Sequence, residues 1–330
     1  MPSLYEEYSP WKGAHFMDRL AAIKKGGKCA PVSLQISLTN RCCAKCYYCY
    51  VENSNKFKVD IDTEKLFKVL EEAKEMGVKA IEITGGGEPL VHPDAWKIIS
   101  KINELGLDLG LITNGIMLDP EKLGKATWVR ISLDSFNPAT YKKIKGVNMP
   151  DMKLIGKMCK NKNVTVGASC VITPYNYKEL YSFAKKAKEM GFSNVCFKPV
   201  EVENRKVLNR FEKIVKEQMD KAIKLTDNNF KVFSLELRRN DNTEAKPFPL
   251  CIQQHLAAFI WSNGDIYSCC SLQGNKNMVV GNIYKGSFKD QWFSRKIIGI
   301  KDCKIECFFA GKNSFLNYLV GDNPKHVNFM

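Results

Sequence analysis

The sequence lacks long apolar runs and is poor in histidine and arginine. Its longest apolar stretch, LAAFIW from Leu256 to Trp261, has the length of a strand and is well short of the roughly 18 to 20 residues that span a membrane. The first twenty residues contain no apolar segment of the kind found in signal peptides. We therefore expect a cytoplasmic protein without a membrane segment.

Basic charge is abundant but is carried mostly by lysine. The chain has 330 residues and a formal net charge of +15, with only eight arginines. Its lysines are dispersed along helical segments such as KKAKEMG, which indicates a solvated surface rather than the concentrated basic face of a nucleic-acid-binding protein. We therefore do not expect a nucleic-acid partner.

Cysteine is plentiful, with 13 residues. A chain of this length buries enough surface to fold without disulfides, and the cysteines are grouped in short segments rather than spread as a disulfide framework. In a reducing compartment, grouped cysteines more often bind metal or do redox chemistry. The composition therefore favours metal sites over disulfide bonds.

Short β-rich runs alternate with amphipathic helical patterns through the first two thirds of the chain. Six strands are predicted, beginning near Val32, Ala80, Leu107, Trp128, Val164 and Asn194. The helix after the first strand has Asp62 as its expected N-cap and Gly77 as its C-cap. This alternation predicts parallel strands with right-handed crossovers. Six units are too few for a closed eightfold barrel, so we expect an incomplete one.

The segment TNRCCAKCYYCY directly follows the first predicted strand. Cys43, Cys46 and Cys49 match the start of a ferredoxin motif, but the next cysteine of that motif is missing. Cys42, Cys46 and Cys49 instead have the spacing C-x3-C-x2-C, at the carboxyl end of the sheet where α/β folds place their chemistry. Three thiolates on a four-iron cluster leave one iron open to a substrate. Zinc would want a fourth ligand, and no histidine lies beside the loop.

This loop and two further segments together resemble the radical S-adenosylmethionine (SAM) superfamily. The further segments are TGGGEP, from Thr84 to Pro89, and ISLD, from Ile131 to Asp134. In such enzymes the open iron chelates the amino and carboxylate groups of SAM. The reduced cluster then cleaves the sulfonium to a 5′-deoxyadenosyl radical, which takes a hydrogen atom from the substrate. The resemblance implies SAM and a 4Fe-4S cluster as cofactors, with flavodoxin or ferredoxin as electron donor.

The resemblance also implies roles for individual residues. The cluster ligands would be Cys42, Cys46 and Cys49, with Cys43 as a spectator. The residues expected around SAM are Tyr48, Gly86, Gly87, Glu88, Asn114, Ser132 and Asp134. The Glu88 carboxylate would complement the ammonium group, Ser132 and Asp134 share one strand face near the ribose, and Tyr48 would pack on the adenine.

A second group of cysteines follows a polar stretch that reads as a linker. An Asn263-Gly264 pair between two β-like runs predicts a type I′ hairpin, which would bring several thiols to one end of a small sheet. The expected ligands are Cys251, Cys269, Cys303 and Cys307. This arrangement resembles the SPASM and Twitch auxiliary-cluster domains that follow many radical SAM barrels, and implies an auxiliary 4Fe-4S cluster. A tetrathiolate zinc site would use the same residues.

Cys270 is the candidate catalytic thiol. Successive strand residues face opposite ways, so if Cys269 ligates the cluster, Cys270 faces elsewhere, and which of the two ligates stays open. A thiol facing the substrate would return a hydrogen atom to a substrate radical, as in some radical SAM epimerases. The alternative is a buried residue that acts only as a small apolar side chain.

The sequence therefore predicts a radical SAM enzyme, of epimerase or dehydrogenase type, acting on a peptide or a sugar-like small molecule. A molybdenum-cofactor-type cyclase is an alternative, although the C-terminal Gly-Gly of that family is missing from HVNFM. A non-enzymatic iron-sulfur or zinc-binding protein is the alternative from another class. The expected fold is α/β, a partial (β/α)6 TIM-like barrel with a small C-terminal auxiliary-cluster domain. Its expected parts are an N-terminal extension (1–30), the barrel (31–237), a linker (238–250) and the SPASM/Twitch-like domain (251–330).

Overall fold

One mixed sheet forms the centre of the molecule in the computed structural model, which describes residues 9–49, 58–161, 163–200, 210–234, 246–305, 307 and 309–321. The described strands are β1 (Ser33–Ser37), β2 (Ala80–Thr84), β3 (Asp108–Thr113), β4 (Ala126–Ser132), β5 (Thr165–Ile172), β6 (Asn194–Pro199), β7 (Lys231–Ser234), β8 (Ala257–Ile260), β9 (Asp265–Tyr267) and β10 (Gly281–Asn282). Their order in the sheet is β10-β9-β8-β1-β2-β3-β4-β5-β6-β7. The strands from β8 to β7 in this order are parallel, and the pairs β8–β9 and β9–β10 are antiparallel.

Helices connect the parallel strands. The described α-helices are α1 (Met17–Lys24), α2 (Thr63–Glu75), α3 (Ala95–Glu104), α4 (Pro138–Lys145), α5 (Met152–Cys159), α6 (Leu180–Met190), α7 (Glu212–Ile223), α8 (Gln253–Leu256), α9 (Phe288–Ser294) and α10 (Ala310–Val320). Helix α2 begins where predicted, because the Asp62 carboxylate accepts a hydrogen bond from the Lys65 amide at 2.7 Å. It ends just before Gly77, whose φ of +82° reverses the chain.

The six predicted strands are present, and each begins within two residues of its expected position. The sequence reading missed β7, a four-residue strand that pairs in parallel with β6. It also missed that β8, from the C-terminal part of the chain, pairs in parallel with β1. The fold is thus an α/β partial barrel whose sheet continues directly into the small C-terminal domain.

The two faces of the barrel strands differ in burial. Ile81, Ile83 and Val129 are at most 1% exposed and pack in one core with the apolar stripes of α2 and α3. The intervening residues of the same strands, such as Glu82 and Arg130, stay partly exposed. Because strand side chains alternate, the helices cover one face and the other face lines the barrel interior, called the lumen below.

The N-terminal segment packs against the C-terminal domain. Leu20 and Ile23 of α1 form a second core with Leu256 of α8 and Leu316 of α10. The rings of Trp11 and Phe315 also meet, with centroids 4.1 Å apart. Residues 9–30 of the expected extension are therefore held in a tertiary core. Residues 238–245 of the expected linker lie outside the described residues.

The turn between β8 and β9 differs from the predicted type I′. That turn needs positive φ at both central residues, and Gly264 has φ +85° whereas Asn263 keeps a negative φ. The Gly264 amide donates to the Trp261 carbonyl at 2.8 Å, and the Trp261 amide donates to the Asp265 carbonyl at 2.9 Å. The connection is therefore a type I turn followed by a glycine bulge.

Candidate active site

The cysteine loop follows β1 at the carboxyl end of the parallel strands. Its base is held by Asp60, whose carboxylate accepts hydrogen bonds from the Thr39 hydroxyl at 2.5 Å and from the Arg41 guanidinium at 2.9 Å. Charge-assisted contacts of this kind are stronger than neutral ones. The loop that carries the four clustered thiols is thereby fixed on its sheet edge.

The TGGGEP segment after β2 lies directly against the cysteine loop. The Gly87 amide donates to the Thr39 carbonyl at 3.0 Å, and the Glu88 amide donates to the Arg41 carbonyl at 2.9 Å. A Cβ atom on Gly87 would lie 1.9 Å from the Arg41 carbonyl oxygen, which no side chain tolerates. Glycine is required here because two backbones meet.

The Glu88 carboxylate ties this segment to the end of β3. It is 3% exposed, and it accepts hydrogen bonds from the Thr113 hydroxyl at 2.6 Å and the Asn114 amide at 2.7 Å. Burial raises the Glu88 pKa to about 7, although the bonds from Asn114 and Thr113 oppose that rise. The Leu90 amide is a third donor, at 3.3 Å, and a carboxylate offers about four lone-pair sites, so Glu88 retains capacity for one more donor.

A buried polar network lies across the loop from Glu88. The Tyr48 hydroxyl donates to Asp134 Oδ2 at 2.5 Å, and the Lys145 ammonium lies 3.0 Å from the same oxygen. Lys145 Nζ also donates to the Ser132 hydroxyl at 3.2 Å. The side chains of Lys145 and Asp134 are 3% and 0% exposed. The structure thus brings Tyr48, Ser132 and Asp134 together around a cation that the prediction lacked, with Asp134 just beyond the end of β4 rather than on its face.

Backbone strain at Asp134 points its carboxylate into this network. Asp134 has φ +65°, a conformation that residues other than glycine seldom adopt. Its Oδ1 accepts a hydrogen bond from the Val171 amide at 2.8 Å, and its carbonyl accepts one from the Asn176 amide group at 2.8 Å. Strained residues of this kind cluster at functional sites.

The sequence gives no signal that distinguishes Lys145 from the other lysines of the chain. It is the last residue of α4, where lysine is common because it complements the helix dipole. Burial lowers its pKa, but the Asp134 carboxylate and Tyr48 outweigh that effect and hold the pKa well above its usual range. The Tyr48 pKa rises through burial and through the same carboxylate. Lys145 is therefore a permanent buried cation.

The Cys43 thiol, which was not expected to be a cluster ligand, has a hydrogen-bond partner of its own. Its sulfur accepts a hydrogen bond from the Asn114 side-chain amide at 3.3 Å. A hydrogen bond from the Cys42 thiol, with that from Asn114, lowers the Cys43 pKa to about 6. Asn114 thus lies on the predicted rim, where its side chain contacts the thiol taken as a spectator. Cys42 is exposed, and burial raises the pKa of Cys46.

The second group of thiols lines a single cavity in the C-terminal domain. The thiols on its wall are Cys251, Cys269, Cys303 and Cys307. The other lining side chains include Phe248, Leu272 and Ile305, and Lys246 is the one charged residue on the described part of the wall. The buried Asn313 amide donates toward the sulfurs of Cys251 at 3.7 Å and Cys307 at 3.9 Å. All four predicted ligands therefore meet around one largely apolar space.

Cys270 lies outside that cavity wall, for a different reason from the one predicted. Strand β9 ends at Tyr267, and Cys270 begins a 3-10 turn (Cys270–Leu272), so strand alternation does not separate it from Cys269. The hydrogen bond between the two thiols lowers the Cys269 pKa to about 7 and raises that of Cys270. The Glu82 carboxylate also raises the Cys270 pKa.

Both sets of thiols fit iron-sulfur clusters better than single ions. Among the described residues, which include every cysteine, no three thiol, imidazole or carboxylate groups converge on one metal ion. A cluster holds its thiolates farther apart than one ion does, because each thiolate binds a different iron. Three thiols on the first loop and four around the second cavity have the donor chemistry that such clusters require.

The two centres share a border. Phe259, Trp261 and Tyr267 form a small aromatic cluster in the C-terminal domain. Cys49 of the first loop packs against this cluster, and so do Cys269 and Cys270. The barrel loop and the second cavity are therefore joined by apolar packing rather than separated by solvent.

Family models match most of this architecture. The Radical SAM superfamily model matches residues 36–198, which include the cysteine loop, TGGGEP and ISLD. A second model, described as an iron-sulfur cluster-binding domain of the SPASM type, matches residues 251–309.

In the described part of the chain, no helix is long and apolar enough to cross a membrane.

Curated relatives are named as cyclases. A probable GTP 3′,8-cyclase of Methanocaldococcus jannaschii is 32% identical over 209 residues, which cover 60% of this chain and 70% of that protein. A probable GTP 3′,8-cyclase of Methanococcus vannielii is 39% identical over 127 residues, covering 37% of this chain and 42% of that protein. The match to the second relative thus spans only about two fifths of its length.

Solved structures with the same fold are more distant in sequence. SuiB of Streptococcus suis, bound to S-adenosylmethionine, aligns with TM-score 0.66 and 19% identity over 88% of this chain and 72% of that chain. The protein anSMEcpe, with AdoMet and a peptide, aligns with TM-score 0.60 and 18% identity over 81% of each chain. These likenesses establish the fold. By the two family models, its cofactors are SAM, a 4Fe-4S cluster that binds SAM and an auxiliary iron-sulfur cluster, and the chain belongs to the radical SAM superfamily, with a SPASM-type domain at its C-terminal side.

Proposed function

We propose that this enzyme cleaves SAM reductively at the Cys42, Cys46 and Cys49 loop and modifies a peptide or sugar-like substrate, by epimerisation or oxidation. The observation that carries the proposal is the packing of both thiol centres against one aromatic cluster, formed by Phe259, Trp261 and Tyr267. The first thiol loop lies beside the buried Lys145 and Asp134 pair. Cys49 of this loop and Cys269 of the second centre both contact that aromatic cluster. A reactive carbon placed between them has access to both.

When bound, the cluster and SAM supply a 5′-deoxyadenosyl radical that abstracts a hydrogen atom from the substrate. The residues of this chain orient that chemistry. Lys145 holds the Asp134 carboxylate and the Ser132 hydroxyl in place, and these two side chains offer oxygen atoms to the hydroxyl groups of SAM. Glu88 keeps one acceptor site for the ammonium group, and Tyr48 presents its ring at the base of the loop.

Cys270 is the proposed hydrogen donor for an epimerisation. Its thiol lies outside the wall of the second cavity and packs against the aromatic cluster that Cys49 of the first loop also contacts. Breaking its S–H bond homolytically and forming a C–H bond on the substrate leaves a thiyl radical. One electron from a flavodoxin- or ferredoxin-type reductant and one proton from solvent then restore the thiol. In an oxidation, Cys270 would not be needed.

Cyclisation of GTP is the second candidate, because the curated relatives carry that name. A triphosphate is a dense multiple anion and calls for an excess of basic residues around it. The lumen pairs two cations, Arg130 and Lys198, with the Glu82 carboxylate. That modest excess of positive charge suits a substrate with fewer negative charges, and we therefore favour the first candidate.

The first test is anaerobic reconstitution with iron and sulfide, followed by dithionite and SAM. We expect about eight irons per chain, for two 4Fe-4S clusters, and formation of 5′-deoxyadenosine. Zinc bound without sulfide, or reconstituted clusters with no nucleoside product, would contradict the proposal. The same assay with GTP, followed by mass spectrometry for a cyclised product, tests the second candidate.

The second test separates epimerisation from oxidation. Candidate peptides and aminoglycoside-like sugars are incubated in deuterated water with the wild-type enzyme and with Cys270→Ala, and products are analysed by mass spectrometry. Epimerisation predicts one solvent deuterium at an unactivated carbon with the wild type. With Cys270→Ala it predicts 5′-deoxyadenosine but no inverted product. An unchanged yield of inverted product from the variant would remove the role of Cys270.

A further inference from the structure

An exposed pair of aromatic rings lies at the first cysteine loop. Tyr47 of this loop and Tyr175, which follows β5, are 37% and 41% exposed. Their ring centroids are 5.1 Å apart, and the rings meet nearly edge to face, at 73°, which is an arrangement in which aromatic rings attract each other. Because tyrosine is enriched where proteins contact one another, this pair marks a candidate interaction surface.

Helix α4 adds positive charge to the aromatic pair. The Lys143 ammonium lies 4.2 Å from the centroid of the Tyr175 ring, which is a cation–π contact. Lys142, the preceding residue, is also exposed. Within the part of the chain that the structure describes, neither lysine forms an ion pair. The helix therefore presents positive charge to solvent beside the rings.

The cysteine loop is joined to the same end of α4. The Lys45 amide donates to the Lys145 carbonyl at 2.8 Å, and the Tyr47 amide donates to the Ile144 carbonyl at 3.2 Å. The Lys45 side chain is exposed, so the loop contributes a third lysine. The loop-helix surface is defined as Lys45, Tyr47, Lys142, Lys143 and Tyr175.

The members of the loop-helix surface carry positive charge only. Burial raises the Tyr47 pKa to about 12, so its hydroxyl stays neutral at physiological pH. Glu179, four residues after Tyr175, has both carboxylate oxygens bound, by the Ser135 hydroxyl at 2.6 Å and by the Thr140 hydroxyl at 2.7 Å. That carboxylate is therefore held by neighbouring hydroxyls, and the surface is complementary to an acidic partner.

The loop-helix surface is next to the cluster ligands but outside the buried network. Tyr47 directly follows Cys46 and lies two residues before Cys49. The next residue, Tyr48, is turned inward, where its hydroxyl donates to Asp134 at 2.5 Å. A substrate has to reach the radical formed at SAM, whereas an electron carrier needs only a short path to the cluster. The position therefore favours an electron carrier as the partner.

We propose that the loop-helix surface docks an acidic electron-carrier protein of the flavodoxin type. The inference rests on the proposed function, because that chemistry requires reduction of the cluster. The three lysines attract the acidic rim of the carrier, and the rings of Tyr47 and Tyr175 pack against the exposed edge of its flavin. The carrier is oxidised by one electron and the cluster is reduced by that electron, and no atom passes between the two proteins.

The test measures the rate of 5′-deoxyadenosine formation against the concentration of a reduced, acidic flavodoxin. The protein is the full, anaerobically reconstituted chain with SAM. Lys142→Glu combined with Lys143→Glu should raise KM for flavodoxin about tenfold or more and leave kcat near the wild-type value. The wild-type KM should rise with salt, because salt screens exposed charges. An unchanged KM in the double variant, or a wild-type KM that is independent of salt, would overturn the docking surface.

Matched variants elsewhere on the molecule control for charge and for exposed rings. Lys213→Glu combined with Lys216→Glu reverses two exposed charges of α7 and should leave KM unchanged. Tyr175→Ala should raise KM about fivefold, as truncation of an interface tyrosine does. Tyr318→Ala, at a tyrosine of α10 that is 66% exposed, should have no effect. Equal changes in the controls would refute the assignment to this surface.

Dithionite distinguishes docking from damage to the cluster. It reduces the cluster without a protein carrier, so the Lys142 and Lys143 double variant should hold as much iron as the wild type and form as much 5′-deoxyadenosine with dithionite. An equal loss of activity with dithionite and with flavodoxin would overturn the docking role. A change in KM for a substrate instead of flavodoxin would assign the surface to substrate binding. A lower wild-type KM for an acidic ferredoxin than for flavodoxin would overturn the choice of a flavin carrier.

Failure of the docking surface and failure of the proposed function are distinguishable. Wild-type chain that forms 5′-deoxyadenosine with dithionite, but whose KM for flavodoxin is unchanged in the double variant, overturns the surface and leaves SAM cleavage in place. Chain that forms no 5′-deoxyadenosine with dithionite removes SAM cleavage. Isothermal titration calorimetry with flavodoxin then tests the surface, and equal affinity of wild type and double variant would overturn it.

Discussion

The two thiol centres of this protein are built in opposite ways. The loop of Cys42, Cys46 and Cys49 lies among charges, with the buried Lys145 and Asp134 pair on one side. The cavity of the C-terminal domain has mainly apolar walls, and its sulfurs receive the side-chain amide of Asn313. A charged setting prepares a place for a charged ligand, whereas an apolar setting isolates a metal group from water.

The two thiol centres are also held in place by different kinds of contact. The first loop is held by backbone contacts with TGGGEP, where Gly87 leaves no room for a side chain. The second cavity is assembled from segments far apart in the chain, with Asn313 of α10 bonded to the Gln253 amide at 2.9 Å. The first centre is therefore encoded locally, and the second depends on the packing of the whole domain.

The largest expected effect is on the first loop. Cys42→Ala should lose the SAM-binding cluster and reduce formation of 5′-deoxyadenosine to background, because two thiolates do not hold that cluster in place. Cys43→Ala is the matched control, because its thiol is turned to Asn114, and it should keep the wild-type iron content and most of the activity. Iron and sulfide analysis with nucleoside chromatography measures both. Loss of the cluster in Cys43→Ala alone would reverse the assignment.

A smaller but substantial effect is expected at the buried ion pair. Lys145→Met leaves the Asp134 carboxylate buried without its cation, and should lower the free energy of unfolding by about 3 to 5 kcal/mol. Lys143→Met, in the same helix, removes an exposed lysine that lies 4.2 Å from the ring centroid of Tyr175, and should cost about 1 kcal/mol or less. Urea unfolding of both variants gives the comparison, and equal losses would show that the ion pair carries no special weight.

The pH dependence of stability should have opposite signs in the two regions. The Glu88 pKa is raised from 4.5 to about 7 by burial, so its contribution to stability is present below pH 4.5 and is lost as pH rises through 7. The His255 pKa is lowered from 6.5 to about 4 by burial, so its contribution is present above pH 6.5 and is lost as pH falls through 4. Each loss is on the order of 3 kcal/mol over its full range.

Substitution separates these two contributions. Glu88→Gln should flatten the decline in urea midpoint between pH 5 and about 8, and His255→Gln should flatten the decline between pH 6.5 and about 4. Each substitution should leave the decline caused by the other residue as in the wild type, so each variant is the control for the other. Identical pH profiles for the wild type and Glu88→Gln would show that Glu88 does not cause the decline in stability as the pH rises.

The smallest expected effect is on the second centre. Asn313→Leu removes the amide that points at the sulfurs of Cys251 and Cys307, and hydrogen bonds to sulfur stabilise the reduced cluster. The variant should therefore lower the reduction potential of the auxiliary cluster, measured by potentiometry with electron paramagnetic resonance. Asn317→Leu, one turn later in α10, loses only bonds with the backbone of Leu250 and Asn313 and should leave the potential unchanged. An unchanged potential in Asn313→Leu would remove its tuning role.

Prediction from sequence succeeded where local rules decide the structure. The start of α2 at Asp62 and its end before Gly77 follow from side-chain capping and backbone freedom, which involve neighbouring residues only. The six strands follow from short apolar runs between helical patterns. The order of the cysteine loop, TGGGEP and ISLD along the chain also identified the family.

Prediction failed where distant segments decide. Strand β7 is too short to stand out, and the pairing of β8 with β1 joins residues more than two hundred positions apart. Lys145 looks like an ordinary helix-terminal lysine until Asp134 and Tyr48 surround it. The turn type at Asn263-Gly264 depends on the hydrogen bonds that Trp261 makes with Gly264 and Asp265. The Asn-Gly dipeptide alone does not specify those bonds.

The sequence by itself determined the family, the parallel α/β pattern and the set of thiols, because spacing, capping and alternation act over a few residues. Only the tertiary structure decided that Cys269 rather than Cys270 lines the second cavity, that Lys145 is the buried cation, and that Arg130, Lys198 and Glu82 lie on one face of the sheet. The physical reason is that burial and charge depend on what surrounds a side chain. Those surroundings come from strands and helices that the chain brings together only when it folds.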